Sequence, residues 1–184
     1  MNDKKSKVRE RNSSKDLTQN DNLEKVIRID RVNKVVKGGK RLAFRAFVIT
    51  GDKKGNVGYG IGKSREVPVA IKQGIDKSNK SFKRVNIVSG TLPHIVEGRF
   101  ASTRVIIKPA KPGTGVIAGG AVRIILEAAG IKDVVAKAIG SRNVINMTKA
   151  VFNGLSQLKD LKTEELKRGK KLPVYVKKEN GEDK

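Results

Sequence analysis

Two stretches of this sequence carry residue types that could hold a phosphate. GIGKS over 60–64 closes on Gly62, Lys63 and Ser64, the ending of a Walker-type loop. In such a loop backbone N–H groups turn toward the phosphate, the lysine neutralises it, and the hydroxyl serves Mg²⁺. The pattern also needs a glycine five residues before Gly62, and Val57 stands there. GTGVIA over 113–118 fits G-x-G-x-x-A, the turn that seats a pyrophosphate on a helix N-terminus. No acidic residue ends the next apolar segment, near 135–140, where ribose recognition would need one. The glycines of 111–120 are therefore read as a flexible loop that lets an RNA or protein surface come close. No cofactor, metal or small-molecule substrate is expected.

Other catalytic chemistry is equally bare. There is no Cys, so no disulfide, thiolate nucleophile or Cys-based zinc site. His94 is the single His, which excludes a multi-His metal centre, and it reads as structural. Glu97 and Glu127 have no carboxylate partner in sequence. The expectation is a protein that is not an enzyme. The alternatives are a nucleotide-binding enzyme built on the 111–120 loop and a free nucleic-acid chaperone.

What the chain has in excess is positive charge. Its 184 residues hold 41 Lys and Arg against 18 Asp and Glu, a formal net charge of +23. Such a surface repels itself and makes sense opposite a polyanion. The leader 1–22 contributes +2, residues 23–111 contribute +15, residues 112–176 contribute +6, and the last eight contribute nothing. The excess therefore lies on segments patterned to fold. Arg28, Arg31, Lys34, Lys37, Lys40 and Arg41 surround the first hairpin loop, Lys53 and Lys54 the next turn, and Lys63 and Arg65 the exit of the third strand. Loop ends on one side of a sheet would gather these into a cationic rim for RNA phosphates. Arg104, Lys108 and Lys111 extend the expected RNA contacts into the second half. Aromatics are few and fall on core positions, which favours double-stranded RNA read by backbone and shape over base stacking.

The elements that must position these residues follow from hydrophobic periodicity. Residues 25–36 alternate, with Ile27 and Ile29 against Arg28 and Asp30, and the phase slips near 31–33. KGGK over 37–40 supplies a tight turn. Residues 41–50 form a second strand with Leu42, Phe44, Ala46 and Val48 on one face. Residues 57–62 form a third, with Gly58, Gly60 and Gly62 on one face, a pattern that calls for a close backbone neighbour. A helix follows Pro68 with a stripe of Val67, Ile71, Ile75, Ser78 and Phe82. Past Gly90 and Pro93 come two strand-like runs, 94–97 and 102–108, and a helix from Gly120 stopped by Gly130. A strand over 131–139 and a helix after Asn143, with a stripe of Val144, Met147, Val151, Leu155 and Leu158, complete the set. Thr163 to Arg168 suits a short helix. The fold class is α+β in two units: three strands plus a helix over 23–88, and a βαβα-type unit over 89–160. A disordered polar leader over 1–22 and a charged extension over 161–184 flank them. No apolar run is long enough for a membrane span, and a cytoplasmic location is expected.

RVNKVVKGGK (31–40), GNVGYGIGKSREVPVAI (55–71), KPGTGVIAGGAVRIILEAAGI (111–131) and GSRNVINMTKAVFNGL (140–155) together resemble the bacterial-type small-subunit ribosomal protein S5 family. The resemblance spans roughly 24–158. It implies an N-terminal module similar to a double-stranded-RNA-binding domain and a C-terminal βαβα-type domain. It implies a structural constituent of the ribosome that binds small-subunit rRNA, neighbours ribosomal proteins S4 and S8, and bears on decoding accuracy near where mRNA enters. Val32, Asn33 and Lys34 match the family segment that reaches the head–body junction near the spectinomycin site. Gly115 and Arg123 match the part that faces S4 and bears on accuracy.

Overall fold

The computed structural model describes residues 22–171. The expected leader, apart from Asn22, and residues 172–184 of the extension lie outside the described residues. The first sheet has the order β1-β2-β3-β4, all antiparallel, from β1 (Leu23–Val36), β2 (Gly39–Gly51), β3 (Asn56–Ser64) and β4 (Lys83–Arg84). Helix α1 (Val67–Lys80) lies between β3 and β4 in sequence. The second sheet has the order β5-β6-β8-β7, from β5 (Val96–Phe100), β6 (Thr103–Pro109), β7 (Val116–Ile117) and β8 (Val134–Gly140). Among the described residues its one parallel pair is β7 with β8. Helices α2 (Gly120–Ala129), α3 (Val144–Leu155) and α4 (Leu161–Arg168) complete the described chain.

The three glycines of β3 are explained by α1. A Cβ on Gly58, Gly60 or Gly62 would collide with the backbone carbonyls of Ser78, Gly74 and Ala70 respectively. The helix therefore buries its small side, Ala70, Gly74 and Ser78, at i, i+4 and i+8. Of the expected stripe, Ser78 is buried as expected and the rest is corrected. Ile71 and Ile75 pack only partly, beside Ala46 and Val48, and Phe82 lies past the helix end and is exposed. Apolar bulk at Val67 and Ile71 suggested the contact line, but the glycine ridge leaves room only for small residues.

The strand β1 also departs from simple alternation. The register shifts between Val26 and Arg28, earlier than the slip expected at 31–33. Ile27 is the extra residue and packs on the main core. Ile29 pairs with Ala46 instead and turns to the α1 face, where it is exposed. A bulge of this kind moves every later side chain to the opposite face.

The face of the first sheet away from α1 does not meet solvent at its base. Ile49 and Val57 join Val122, Ile125, Leu126, Val134, Val151 and Leu155 in one buried cluster. Tyr59 meets Phe152 edge to face at 4.8 Å. Helix α2 is thus covered on two sides, which is why Ala121, Val122, Ile125, Leu126, Ala128 and Ala129 are all buried. Gly130 stops it at φ 89°. Its orphan C-terminal carbonyls, which every helix must satisfy somehow, accept from the β2–β3 turn. Lys53 N–H donates to Ala128 O at 3.1 Å and Gly55 N–H to Ala129 O at 3.0 Å. Helix α3 is N-capped by Asn143, whose Oδ1 accepts from Ile145 N–H at 3.0 Å. Of its expected stripe, Val151, Leu155 and Leu158 are buried, while Val144 and Met147 are half-buried.

Candidate nucleic-acid interface

The third strand ends early, and this makes an arm. Ser64 of β3 pairs with Phe44. Beyond that row, among the described residues, β1 and β2 pair only with each other, from Val32–Ala43 to Val36–Gly39. Five such rows project about 17 Å at the usual rise per residue. The tip turns at Lys37 and Gly38, with Gly39 at φ 143°. No acidic residue occurs between Asp30 and Asp52. Lys34 lies directly opposite Arg41, and Lys40 opposite Val35. Like charges facing each other across a ladder destabilise it unless an anion lies between or above them. Asn33, Lys34, Lys37, Lys40 and Arg41 are exposed, and Val32 is half-buried.

The expected single rim is only partly assembled. Lys63 and Arg65 lie at the arm's end of the sheet, since Lys63 pairs with Arg45. Lys53 and Lys54 lie at the opposite end, because Gly51 pairs with Leu23 at the base of the hairpin. Their turn is a structural joint. Asp52 accepts from the Lys54 and Asn56 N–H groups at 2.7 and 2.9 Å and from Asn56 Nδ2 at 2.6 Å. Burial pushes the Asp52 carboxyl up. The hydrogen bonds from the Asn56 side chain and backbone and from Lys54 outweigh it and hold the group below the usual range. Two successive antiparallel hairpins must place their turns at opposite ends, so loops 37–38 and 52–55 could not share a rim.

In the second unit Arg104 and Lys108 lie on the sheet face away from α2 and α3, beside Ile139 and Val135. Lys111 is exposed in the loop after β6. Gly115 sits at φ 74°, a conformation that favours glycine, and its N–H donates to Asp133 Oδ1 at 2.8 Å. Arg123 donates from Nε and Nη2 to Val116 O at 3.2 and 2.7 Å, and so pins the glycine loop to α2. Glu127 joins Arg123 at 3.8 Å and Lys25 at 3.0 Å. His94 lies in the bend before β5, where its Nε2 accepts from Lys159 N–H at 3.1 Å. GIGKS is strand against α1, so its backbone is not free to wrap a phosphate. Among the described residues no group of His, Asp or Glu side chains could hold a metal ion, and no helix is long and apolar enough to cross a membrane.

Two family models cover the described chain: ribosomal protein S5, N-terminal domain, over 23–86, and ribosomal protein S5, C-terminal domain, over 98–169. The chain belongs to the ribosomal protein S5 family. It is 48% identical over 150 residues to the small ribosomal subunit protein uS5 of Lawsonia intracellularis (strain PHE/MN1-00), covering 82% of this chain and 92% of that one. It is equally 48% identical over 150 residues to the uS5 protein of Syntrophobacter fumaroxidans (strain DSM 10017 / MPOB), covering 82% and 90%. Membership of this family makes the chain a structural, non-enzymatic component of the small ribosomal subunit. The α+β architecture agrees, with an antiparallel sheet and one helix followed by a second sheet with helices.

The S5 chain also holds cations that their sequence positions did not single out. Arg45 and Arg99 each bind a carboxylate on a strand surface. Glu97, which has no carboxylate partner in sequence, lies between Arg99 and Arg104 in the fold. A signal was present: R-x-D at 28–30 and E-x-R at 97–99 put acid and base on one strand face. The second arginine of each set arrives from the neighbouring strand, which only the register supplies.

Proposed function

We propose that the chain binds small-subunit rRNA by charge neutralisation and shape, and supports subunit assembly and translational accuracy near the decoding region and where mRNA enters. The arm carries this reading: four cations stand on it at Lys34, Lys37, Lys40 and Arg41, with Arg31 at its root and no acid among them, and Lys34 faces Arg41. In the same reading Val32, Asn33 and Lys34 reach the head–body junction beside the spectinomycin site. Gly115 and Arg123 face S4, with S8 a further neighbour. Support for a protein contact there comes from Gly119 and Gly120. Neither has a positive φ, and among the described residues a side chain on either would meet nothing within 4 Å, so no close contact there requires the glycines.

The test is a Lys34→Glu, Lys37→Glu double variant followed through subunit assembly. Assembly falls while the circular dichroism spectrum is unchanged, and the salt slope of rRNA binding drops by about 2. A normal assembly profile overturns the phosphate-contacting role. For about 6–10 phosphate contacts, wild-type affinity falls roughly 10³–10⁵-fold between 50 and 200 mM salt. Comigration with small subunits through a high-salt wash separates this function from that of a free nucleic-acid chaperone.

A further inference from the structure

The same device is built twice, once on each sheet. On the first sheet Asp30 accepts from Arg28 Nε at 2.6 Å and from Arg45 Nη2 at 2.8 Å. On the second, Glu97 accepts from Arg99 Nε at 2.7 Å and from Arg104 Nη2 at 2.6 Å. In both, one arginine sits two residues away on the carboxylate's own strand and the other comes from the neighbouring antiparallel strand. Hydrogen bonds from Arg45 and then Arg28 hold the Asp30 carboxyl below its usual range, and those from Arg104 and then Arg99 do the same for Glu97. Each guanidinium has five N–H donors in a fixed fork, so one or two bonds to a carboxylate fix its plane and leave other donors unused by it, although Arg104 Nε is itself buried. Side-chain exposures of 59% and 40% for Arg28 and Arg45, and 68% and 43% for Arg99 and Arg104, keep those donors within reach of a ligand.

The two devices are neighbours across the junction of the modules. Arg104 pairs with Ile139 on β8. The chain then runs through Gly140, Ser141 and the exposed Arg142 to Asn143, which lines one cleft with Arg28, Asp30, Arg45 and Phe47. The cleft has a volume of about 110 Å³. Four residues of chain bridge at most about 14 Å. A short span of chain that carries Arg142 thus joins the Arg99–Arg104 pair to the cleft lined by Arg28 and Arg45, and these five arginines, taken together as a strip, lie apart from the tip of the arm.

We propose that this strip is a second RNA-docking surface, in which Asp30 and Glu97 are positioning residues that aim four guanidinium forks at the phosphodiester oxygens of one RNA segment crossing both modules. It rests on the rRNA-binding reading above. A polyanion fits because the strip holds five arginines against two acids and the forks match phosphate geometry.

The proposal inverts the ordinary effect of charge. Asp30→Asn and Glu97→Gln each add one unit of positive charge. Counterion release alone predicts tighter RNA binding. If the carboxylates aim the forks, each variant binds purified small-subunit rRNA about tenfold more weakly. The conservative Asp30→Glu restores part of the loss. Arg99→Lys keeps the charge at a largely exposed site, so it leaves the fold intact, and it weakens binding by a similar factor. Melting curves on each variant separate misfolding from lost aim. If wild type binds rRNA and Asp30→Asn, Glu97→Gln and Arg99→Lys bind equally or more tightly, this inference falls and the rRNA-binding reading stands. If wild type itself does not bind, the rRNA-binding reading falls and takes this with it. If the variants bind rRNA normally but are lost from reconstituted subunits, the strip contacts a protein, and the inference is overturned.

Discussion

The two ends of the β1–β2 hairpin are built on opposite principles. At its base the hairpin is covered on both faces, by α1 on one side and by α2 and α3 on the other, and Val48, Ile49 and Thr50 have no exposed surface. At its arm both faces meet solvent, Val35 is 73% exposed, and cations oppose one another. An isolated two-stranded ribbon is marginal in water, so the arm borrows its order from the base. Stability and recognition are thus placed at opposite ends of the same two strands. Substitutions should divide the same way.

The largest effect belongs to the glycine ridge under α1. Gly60→Ala puts a methyl group into the Gly74 carbonyl, and backbone cannot yield as a flexible side chain can. A loss of about 4 kcal/mol in urea denaturation is expected, at the upper end for single substitutions. Gly38→Ala at the arm's tip meets nothing within 4 Å and has no positive φ, so it should change stability by less than about 0.5 kcal/mol. Equal losses in the two variants would dissolve the contrast between base and arm.

Next comes the core that both sheets share. Ile125 is fully buried on α2, between them. Ile125→Ala should cost about 3 kcal/mol. The Tyr59–Phe152 contact crosses the same junction, so the near-ultraviolet signal of the aromatics and the far-ultraviolet signal of the backbone should fall in one transition. Two separated transitions would show that the modules melt independently and that the junction adds little.

Much of this was legible in the residues. Glycine at Gly58, Gly60 and Gly62 announced a close backbone neighbour, Pro68 and Gly130 marked helix ends, and Asn143 marked where the third helix begins. What escaped was whatever depends on register or on the partner face. The bulge at Ile27 sends two isoleucines to opposite faces, and a one-residue insertion leaves no mark in an alternating run. The small side of α1 is invisible to a search for bulky apolar stripes. Lys53 and Lys54 read as part of a rim because charge counts carry no direction, whereas a meander sends alternate turns to opposite ends. The carboxylate-held arginines need two strands to be aligned before they exist at all.

A smaller effect sharpens the comparison, because the arm's stability and its binding should move in opposite directions. Lys34→Glu replaces a like-charge pair with Arg41 by an attractive one. Opposite charges across a ladder contribute roughly 0.2–1 kcal/mol, so the arm should gain protection in backbone amide exchange. Affinity for rRNA should fall in the same protein, with a shallower salt dependence. A variant that loses both arm protection and affinity would place Lys34 in the arm's structure rather than in recognition.

The smallest effect is the pH response of the carboxylates at the base and junction. Asp30, Asp52 and Glu97 all titrate below their ordinary values in the folded chain. A depressed folded pKa contributes stability above the unfolded pKa, and that stability is lost as pH falls through the folded value. From neutral pH down to about 5 these three groups leave stability unchanged; below about 5 the unfolded chain takes up their protons first and stability drops. The acid-free arm adds nothing to this response. Asp30 and Glu97 lie at the surface, so solvent screens their share, and 0.5 M salt should flatten their part of the acid limb while leaving that of Asp52, held by neutral donors, in place. A wild type and an Asp52→Asn variant with superimposable stability–pH profiles between pH 2 and 5 would remove Asp52 from the account and leave the joint between turn and α2 to its backbone hydrogen bonds and packing.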